Sequence, residues 1–203
     1  MNGRRRALNR FREAAQAAAL ALVLFLGTHT AIQAREVLGP SMQPTYHTGE
    51  RLVINRAIYA RINLSGLSRF IPFLSGKSHD SYVLHGPQRG NVIVFKPPIP
   101  SQDDFIKRVI GVPGDHVVVG GGRVAVNGRL LDEPYIHGAT TACAGPWCDI
   151  VLGPNQYYVM VDNRPDSSDS CYWGPVRAGS IAGEAWFIYF PFKDIGPLHL
   201  PGQ

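Results

Sequence analysis

The sequence predicts an all-β, mostly antiparallel domain carried on one N-terminal transmembrane helix. Three observations lead there. Glycine and proline are plentiful (22 and 16 in 203 residues) and only 17% of residues are charged, so apolar runs are short and end on turn formers. That balance suits many short strands better than a helical bundle or a disordered chain. Two hairpin signals follow one another: Val117–Val119 and Val124–Val126 flank Gly120, Gly121 and Gly122, and Asn127-Gly128 is a tight turn favouring positive φ. Finally, one long apolar run lies near the N-terminus, and no other long segment repeats at helical spacing.

Residues 1–13 hold Arg4, Arg5, Arg6, Arg10 and Arg12 in a chain of formal net charge +5. Such a cluster can serve as a nucleic-acid arm. Beside an apolar run it reads instead as an orientation signal kept in the cytoplasm. The apolar run spans 14–34, but its strictly apolar centre, Ala17 to Gly27, is short, and Gln16, His29 and Gln33 dilute its flanks. A retained anchor needs about 20 residues, reached only with those flanks. A cleaved secretory signal would be cut after Ala34, which puts Ile32 where a small residue belongs. A retained anchor is the better fit, and either reading exports the rest.

Residues 35–203 then form one extracytoplasmic β domain. Strands are expected over Arg51–Ile58, over Asn91–Phe95 (stopped by Pro97 and Pro98), over Phe105–Val112 (closed by Pro113 and Gly114), over Tyr157–Val161 and over Ala185–Tyr189. Residues 59–88 read as an insertion or small subdomain. Its apolar patch (Leu67, Phe70, Ile71, Phe73, Leu74) either covers an edge of the core or touches a membrane surface.

Cys143 and Cys148 enclose Gly145 and Pro146, which let the chain turn back. In an oxidising compartment they read as a small-loop disulfide, worth roughly 2 kcal/mol by chain entropy. The competing metal site lacks a second ligand pair at suitable spacing. Cys171 is left over.

Pro40 and Pro44 constrain the backbone on both sides of Ser41. A serine hydroxyl needs a base before it can attack. None of the histidines at 29, 47, 79, 85, 116, 137 and 199 sits in a triad-like context, although His47 is near Ser41 in sequence. Lysine is the alternative. Its pKa lies near 10.4 in water, and burial among apolar groups lowers it. Lys107 fits: alternation puts it on one strand face with Phe105 and Val109, while Ile106, Arg108 and Ile110 share the other. The competing reading is an edge-strand lysine that blocks aggregation.

The segment Gly39-Pro40-Ser41-Met42-Gln43-Pro44-Thr45 resembles the nucleophile box of bacterial type I signal peptidases, the leader peptidases. Arg89-Gly90-Asn91-Val92-Ile93-Val94-Phe95 resembles their Arg-Gly-Asp strand, with Asn for Asp. Phe105 to Asp115 is similar to the lysine box over its full length, and Val161 to Pro175 to the last box. A lone Ser-Met-x-Pro is shared with other Ser/Lys proteases; the resemblance rests on four boxes in the family's order. The likeness covers nearly everything after the anchor except 59–88.

It implies a signal-peptidase-like β fold. It also implies a membrane-bound serine endopeptidase that removes signal peptides from exported preproteins after small residues at −1 and −3. Its partners would be preproteins and the lipid bilayer, with no nucleic acid, cofactor or metal. The N-terminus would be cytoplasmic and the catalytic domain on the outer face of the cell membrane. Ser41 would be the nucleophile, Lys107 the general base and Ser167 the hydroxyl orienting the lysine. The Ser41 backbone N–H would hold the oxyanion, a donor typically worth about 3–4 kcal/mol. Asp162, Asn163, Arg164 and Asp169 would form the framework, and Met42, Phe105 and Ile106 are candidate pocket walls, with ordinary core as the alternative. Tyr172 and Trp173 are expected to pack.

Gly39 stands where some members place a hydroxyl-bearing donor. Val161 replaces a glycine, which raises the question of positive φ, and Cys171 replaces a common arginine. An arginine at 171 would be expected to pair with Asp162, Asp166 or Asp169; without it, these fall to Arg164, backbone donors or water. Three rival readings stay open: a peptidase specialised for one precursor such as a pilin, a non-catalytic signal-peptide binder, and a self-cleaving repressor protease.

Overall fold

Every strand pairing among the described residues is antiparallel. The structure, a computed structural model, describes residues 10–22, 31–62, 81–82, 84–136, 139–165 and 168–197. In chain order the strands are β1 Ile32–Glu36, β2 Arg51–Asn55, β3 Arg61–Ile62, β4 Ser81–Tyr82, β5 Val92–Phe95, β6 Phe105–Gly111 and β7 His116–Gly120. They continue as β8 Arg123–Val126, β9 Arg129–Leu130, β10 Asp149–Val151, β11 Gln156–Met160, β12 Val176–Arg177, β13 Ile181–Phe190 and β14 Gly196–Pro197. The main sheet runs β1-β2-β13-β5-β6-β11-β12, with β14 also on β13; a second sheet runs β10-β7-β8-β9, and β3 pairs with β4.

Strand β5 shows why this order forms. All four of its residues are buried. Val92 and Val94 pack with Met42, Tyr46, Leu52 and Ile54, while Ile93 and Phe95 pack with Val109, Val159 and Val176 on the opposite face. A continuous apolar run with period-two alternation can satisfy both faces only as a central strand. A third cluster, containing Ile110, Val117, Val124, Leu152 and Tyr158, joins the second sheet to the ends of β6 and β11.

The hairpin β7–β8 pairs Gly120 with Arg123. The next turn places Asn127 at φ 53° and Gly128 at φ 75°, the double positive φ that a two-residue hairpin of this twist requires. β2 ends at Asn55, short of Ile58, because the Ile58 N–H bonds Asn55 Oδ1 at 3.2 Å, a local bond that competes with the ladder. β1 and β10 were not expected. Both are short and mostly exposed, so they leave little apolar alternation to read.

The expected N-terminal span is corrected at its C-terminal end. Residues 10–22 form a helix, exposed throughout, including Phe11, Leu20 and Leu22. No helix of the described residues is long and apolar enough to cross a membrane. β1 begins at Ile32, inside the span 14–34, because Ile32, Gln33 and Ala34 pair with Asn55, Ile54 and Val53 of β2. Residues 23–30 lie outside the described residues, as does the apolar patch of 59–88, whose flanks pair as β3 and β4.

Asp115 fastens the loop after β6. Its carboxylate accepts from Val112 N (2.8 Å), Arg89 Nη2 (2.9 Å) and Asn127 Nδ2 (2.8 Å). Burial opposes its ionisation, but these donors outweigh it and hold the pKa below the ordinary carboxylate value. A depressed folded pKa adds stability above the unfolded pKa of about 3.9 and loses it as pH falls through the folded value. Asp115→Asn is therefore expected to cost about 1–3 kcal/mol at neutral pH. Urea unfolding across pH should show wild type and variant converging below about pH 4.

Candidate active site

The loop carrying Ser41 is closed at its base by two backbone bonds, Val37 N to Glu50 O (2.8 Å) and Gly49 N to Val37 O (2.9 Å). Within it Gln43 N bonds Pro40 O and Tyr46 N bonds Met42 O, winding the chain tightly. Gly39 has φ 82°, a conformation that strains any residue with a Cβ, so a hydroxyl-bearing side chain at 39 would cost backbone energy here.

Lys107 lies on β6 and is 5% exposed. Its Nζ is 2.9 Å from Ser41 Oγ, close enough for direct proton transfer, and 5.3 Å from the Phe105 ring centroid. Both residues border a groove of about 350 Å³ walled by Val37, Leu52, Ile54, Val94, Phe105 and Ile106. Met42 does not line the groove. It is fully buried with Tyr46 and Leu52, since the loop's winding turns it inward. His47 faces Glu50 at 3.4 Å and is not among the groove residues.

A buried ion pair holds the surrounding segments together. Arg108 and Asp162 are 2% and 0% exposed. Arg108 Nε and Nη2 donate to the two Asp162 oxygens at 2.8 and 2.6 Å, a forked pair. Arg108 Nη1 donates to Gly90 O (2.9 Å), Nη2 also reaches Thr45 Oγ1 (3.3 Å), and Thr45 Oγ1 donates to Asp162. The guanidinium stacks over Tyr135 at 4.1 Å. One arginine thus touches the nucleophile loop, the strand of Gly90, the lysine strand and the Asp162 segment.

Asn163 clamps the serine from the other side. Its backbone N–H bonds Ser41 O at 3.1 Å and its Nδ2 bonds Pro40 O at 3.3 Å. Arg164 turns away, pairing with Glu133 and donating to Thr141 and to Val161 O. Asp169 caps the short helix Ser170–Trp173, accepting from Cys171 N (2.9 Å) and Val161 N (3.2 Å). Ser167 and Asp166 lie outside the described residues; Ser168, next along, borders the groove.

The expectations about substituted positions change accordingly. Positive φ at non-glycine residues occurs, among those described, at Asn127 and Asn155, so Val161 is unstrained in this respect. Asp162 takes its counter-charge from Arg108, while Asp169 accepts from the backbone N–H groups of Val161 and Cys171, one of the expected alternatives to Arg164. Cys171 is 1% exposed in the cluster with Ile110 and Tyr158. Burial, then the Asp169 charge, pushes its thiol up to about 12. An arginine there would have to enter this cluster, beside the Asp169 charge that already acts on the thiol. Cys143 and Cys148 are joined in a disulfide with Cα atoms 5.7 Å apart, which removes both as metal ligands. Trp173 packs on Phe95, whereas Tyr172 is 69% exposed.

Sequence reading missed Arg108, Thr45 and Glu133. Arg108 carried a signal: a charged residue between Ile106 and Ile110 on an apolar strand face, a position that demands a buried partner.

Serine and buried lysine meeting at the end of an apolar, strand-bordered groove place this molecule among the serine endopeptidases. A family model described as signal peptidase, peptidase S26, matches residues 11–190, and the chain belongs to that family. It is 34% identical over 190 residues to signal peptidase I of Leptolyngbya laminosa, covering 90% of this chain and 81% of that one. It is 29% identical over 188 residues to signal peptidase IB of Staphylococcus aureus, covering 85% of each. A crystal structure of a signal peptidase I from Enterococcus faecalis aligns with 48% of this chain and 95% of its own, at 30% identity and a TM-score of 0.40.

Removing one partner of a buried ion pair leaves an uncompensated charge, at a cost of about 3–5 kcal/mol. Asp162→Ala and Arg108→Leu should each lower stability by that order. The double variant should lose less than the sum, since the two act as one unit. Denaturant unfolding of the four proteins in a double-mutant cycle checks this; additive losses would show that the pair is not coupled.

Proposed function

We propose that this chain removes signal peptides from exported preproteins, with Ser41 as nucleophile and Lys107 as general base. The observation that carries the reading is the 2.9 Å approach of Lys107 Nζ to Ser41 Oγ. With the lysine neutral, the Oγ–H donates to Nζ, and proton transfer frees Oγ to attack the carbonyl at −1. The same Nζ then protonates the departing amine. A single group can do both because it stays beside Oγ throughout. The Ser41 backbone N–H is the oxyanion donor in this reading. The clamp of Asn163 on the carbonyls of Pro40 and Ser41 supports it by fixing the peptide units around the nucleophile. Ser167 is kept, by the family resemblance, as the hydroxyl that orients the lysine.

Preference for small residues at −1 and −3 follows from the groove. Alternation sends those two side chains to the same face of an extended peptide, toward walls of Val37, Leu52, Ile54, Val94 and Ile106. Residues 1–13 stay in the cytoplasm, the apolar segment from 14 up to the start of β1 anchors the chain in the bilayer and the β domain lies on the outer face. The exposed apolar side chains of Leu20 and Leu22 on the described helix support that placement, since they have no protein surface to cover them.

Ser41→Ala is expected to abolish cleavage of a preprotein while leaving thermal unfolding unchanged. Lys107→Arg should also be inactive, because a guanidinium stays protonated. Wild-type turnover should rise with pH as the lysine loses its proton. Mass spectrometry of the cleaved bond reads all three, and wild-type rates in Ser41→Ala would disprove the nucleophile. For topology, protease added outside spheroplasts should digest the β domain; a protected domain would reverse the orientation.

A further inference from the structure

The main sheet leaves two strand edges without a neighbour beside Ser41. β1 is its terminal strand, so one edge of Ile32–Glu36 carries no partner strand among the described residues. β6 pairs with β5 along Phe105–Arg108 but with β11 only from Arg108 onward. The other edge of Phe105 and Ile106 therefore carries no partner strand among the described residues either. One ion pair spans from the first strand to the second: Arg35 Nη2, on β1, bonds Asp104 Oδ2, the residue before β6, at 3.0 Å. The remaining Asp104 oxygen accepts from Lys96 Nζ at 3.0 Å. Arg35 and Asp104 both border the groove, and side-chain exposures of 47% and 17% put the pair at its rim rather than on its apolar floor.

Register along β6 says which part of a bound peptide meets this bridge. Asp104 is three residues from Lys107, about 10 Å at roughly 3.3 Å per residue. An extended peptide with its −1 carbonyl at Ser41 and its upstream residues in the apolar groove brings residue −4 level with Asp104. Alternation turns −1 and −3 to the floor and −2 and −4 to the rim. We propose that the Arg35–Asp104 bridge is a specificity determinant that selects against charge at substrate position −4; this rests on the Ser41 and Lys107 reading above. The bridge is neutral and internally satisfied, so an uncharged side chain passes beside it at no electrostatic cost. A lysine at −4 competes with Arg35 for Asp104, and a glutamate competes with Asp104 for Arg35. Neighbouring Asp103 and Lys96 have opposite charges, and Glu36, which also borders the groove, pairs with Arg51 at 3.6 Å.

The test uses the full-length protein in detergent and peptides with alanine at −1 and −3. Position −4 is alanine, glutamate or lysine, and a parallel set varies −2. For wild type, kcat/KM should be highest with alanine at −4, by about fivefold, the scale of a partly exposed ion pair. Arg35→Gln should shift the lysine-to-glutamate ratio at −4 toward lysine, and Asp104→Asn should shift it toward glutamate. Arg35→Lys, which keeps the charge, should return the ratio to wild type. The proposal is overturned if that ratio is the same in wild type, Arg35→Gln and Asp104→Asn, or if both variants shift it in one direction. Failure of the underlying reading looks different: wild type would cut none of the peptides, or Ser41→Ala would cut them all.

Discussion

The buried pair of Arg108 and Asp162 is the constraint on which the rest of the site depends. Two charges withdrawn from water are tolerated only where hydrogen bonds satisfy them, and here the bonds run to separate parts of the chain. The guanidinium reaches Asp162, the carbonyl of Gly90 and the hydroxyl of Thr45. None of these groups can drift without leaving a charged atom unsatisfied. Lys107 precedes Arg108 and Ser41 lies four residues before Thr45, so fixing one pair of neighbours fixes the other. The approach of Nζ to Oγ is inherited from this scaffold more than created by its own contact.

Around that hub the β architecture works by leaving positions open. β6 changes partners at Arg108, holding β5 along its first half and β11 along its second. Along Phe105 and Ile106, where the groove runs, the change leaves an edge with no partner strand among the described residues. A strand paired along its whole length on both sides could still carry a lysine, but it would offer no backbone to an extended substrate. The same segment thus carries Lys107, the hub arginine and a surface on which a peptide can lie. Its neighbour Asp162 sits just after β11, so the second half of the strand serves stability while the first serves chemistry.

Much of this was legible in the sequence, for identifiable reasons. Short apolar runs marked β2, β5, β6, β11 and β13, those of β5 and β6 stopped by Pro97 and by Pro113-Gly114, and the Asn127-Gly128 turn formed with the backbone its residues require. Ser41 and Lys107 were singled out because the segments around them resemble the boxes of a known family; the apolar strand face around Lys107 left an edge-strand reading open. The failures have physical causes too. β1 hid within an apolar segment that also reads as membrane-spanning, and β10 is too short and exposed to alternate. Met42 adjoins Ser41 yet turns inward, since adjacency along a tightly wound loop says little about direction. The partners of Asp162 and Arg164 lie 54 and 31 residues away in sequence. Long-range pairing of that kind leaves only an indirect trace, a lone charge on an apolar face.

The setting of Cys171 has a practical consequence. Its thiol is enclosed, accepts a hydrogen bond from Tyr158 at 3.3 Å, and is held protonated by burial and the neighbouring Asp169 charge. Cys143 and Cys148 are tied to each other. An alkylating reagent needs a reachable thiolate, so in the native molecule it finds neither access nor the reactive form. Modification must wait for the helix Ser170–Trp173 to lift from the cluster around Tyr158 and Ile110. The rate of alkylation then reports how often that part of the domain opens, and the chain carries its own clock for local unfolding beside the framework of the site.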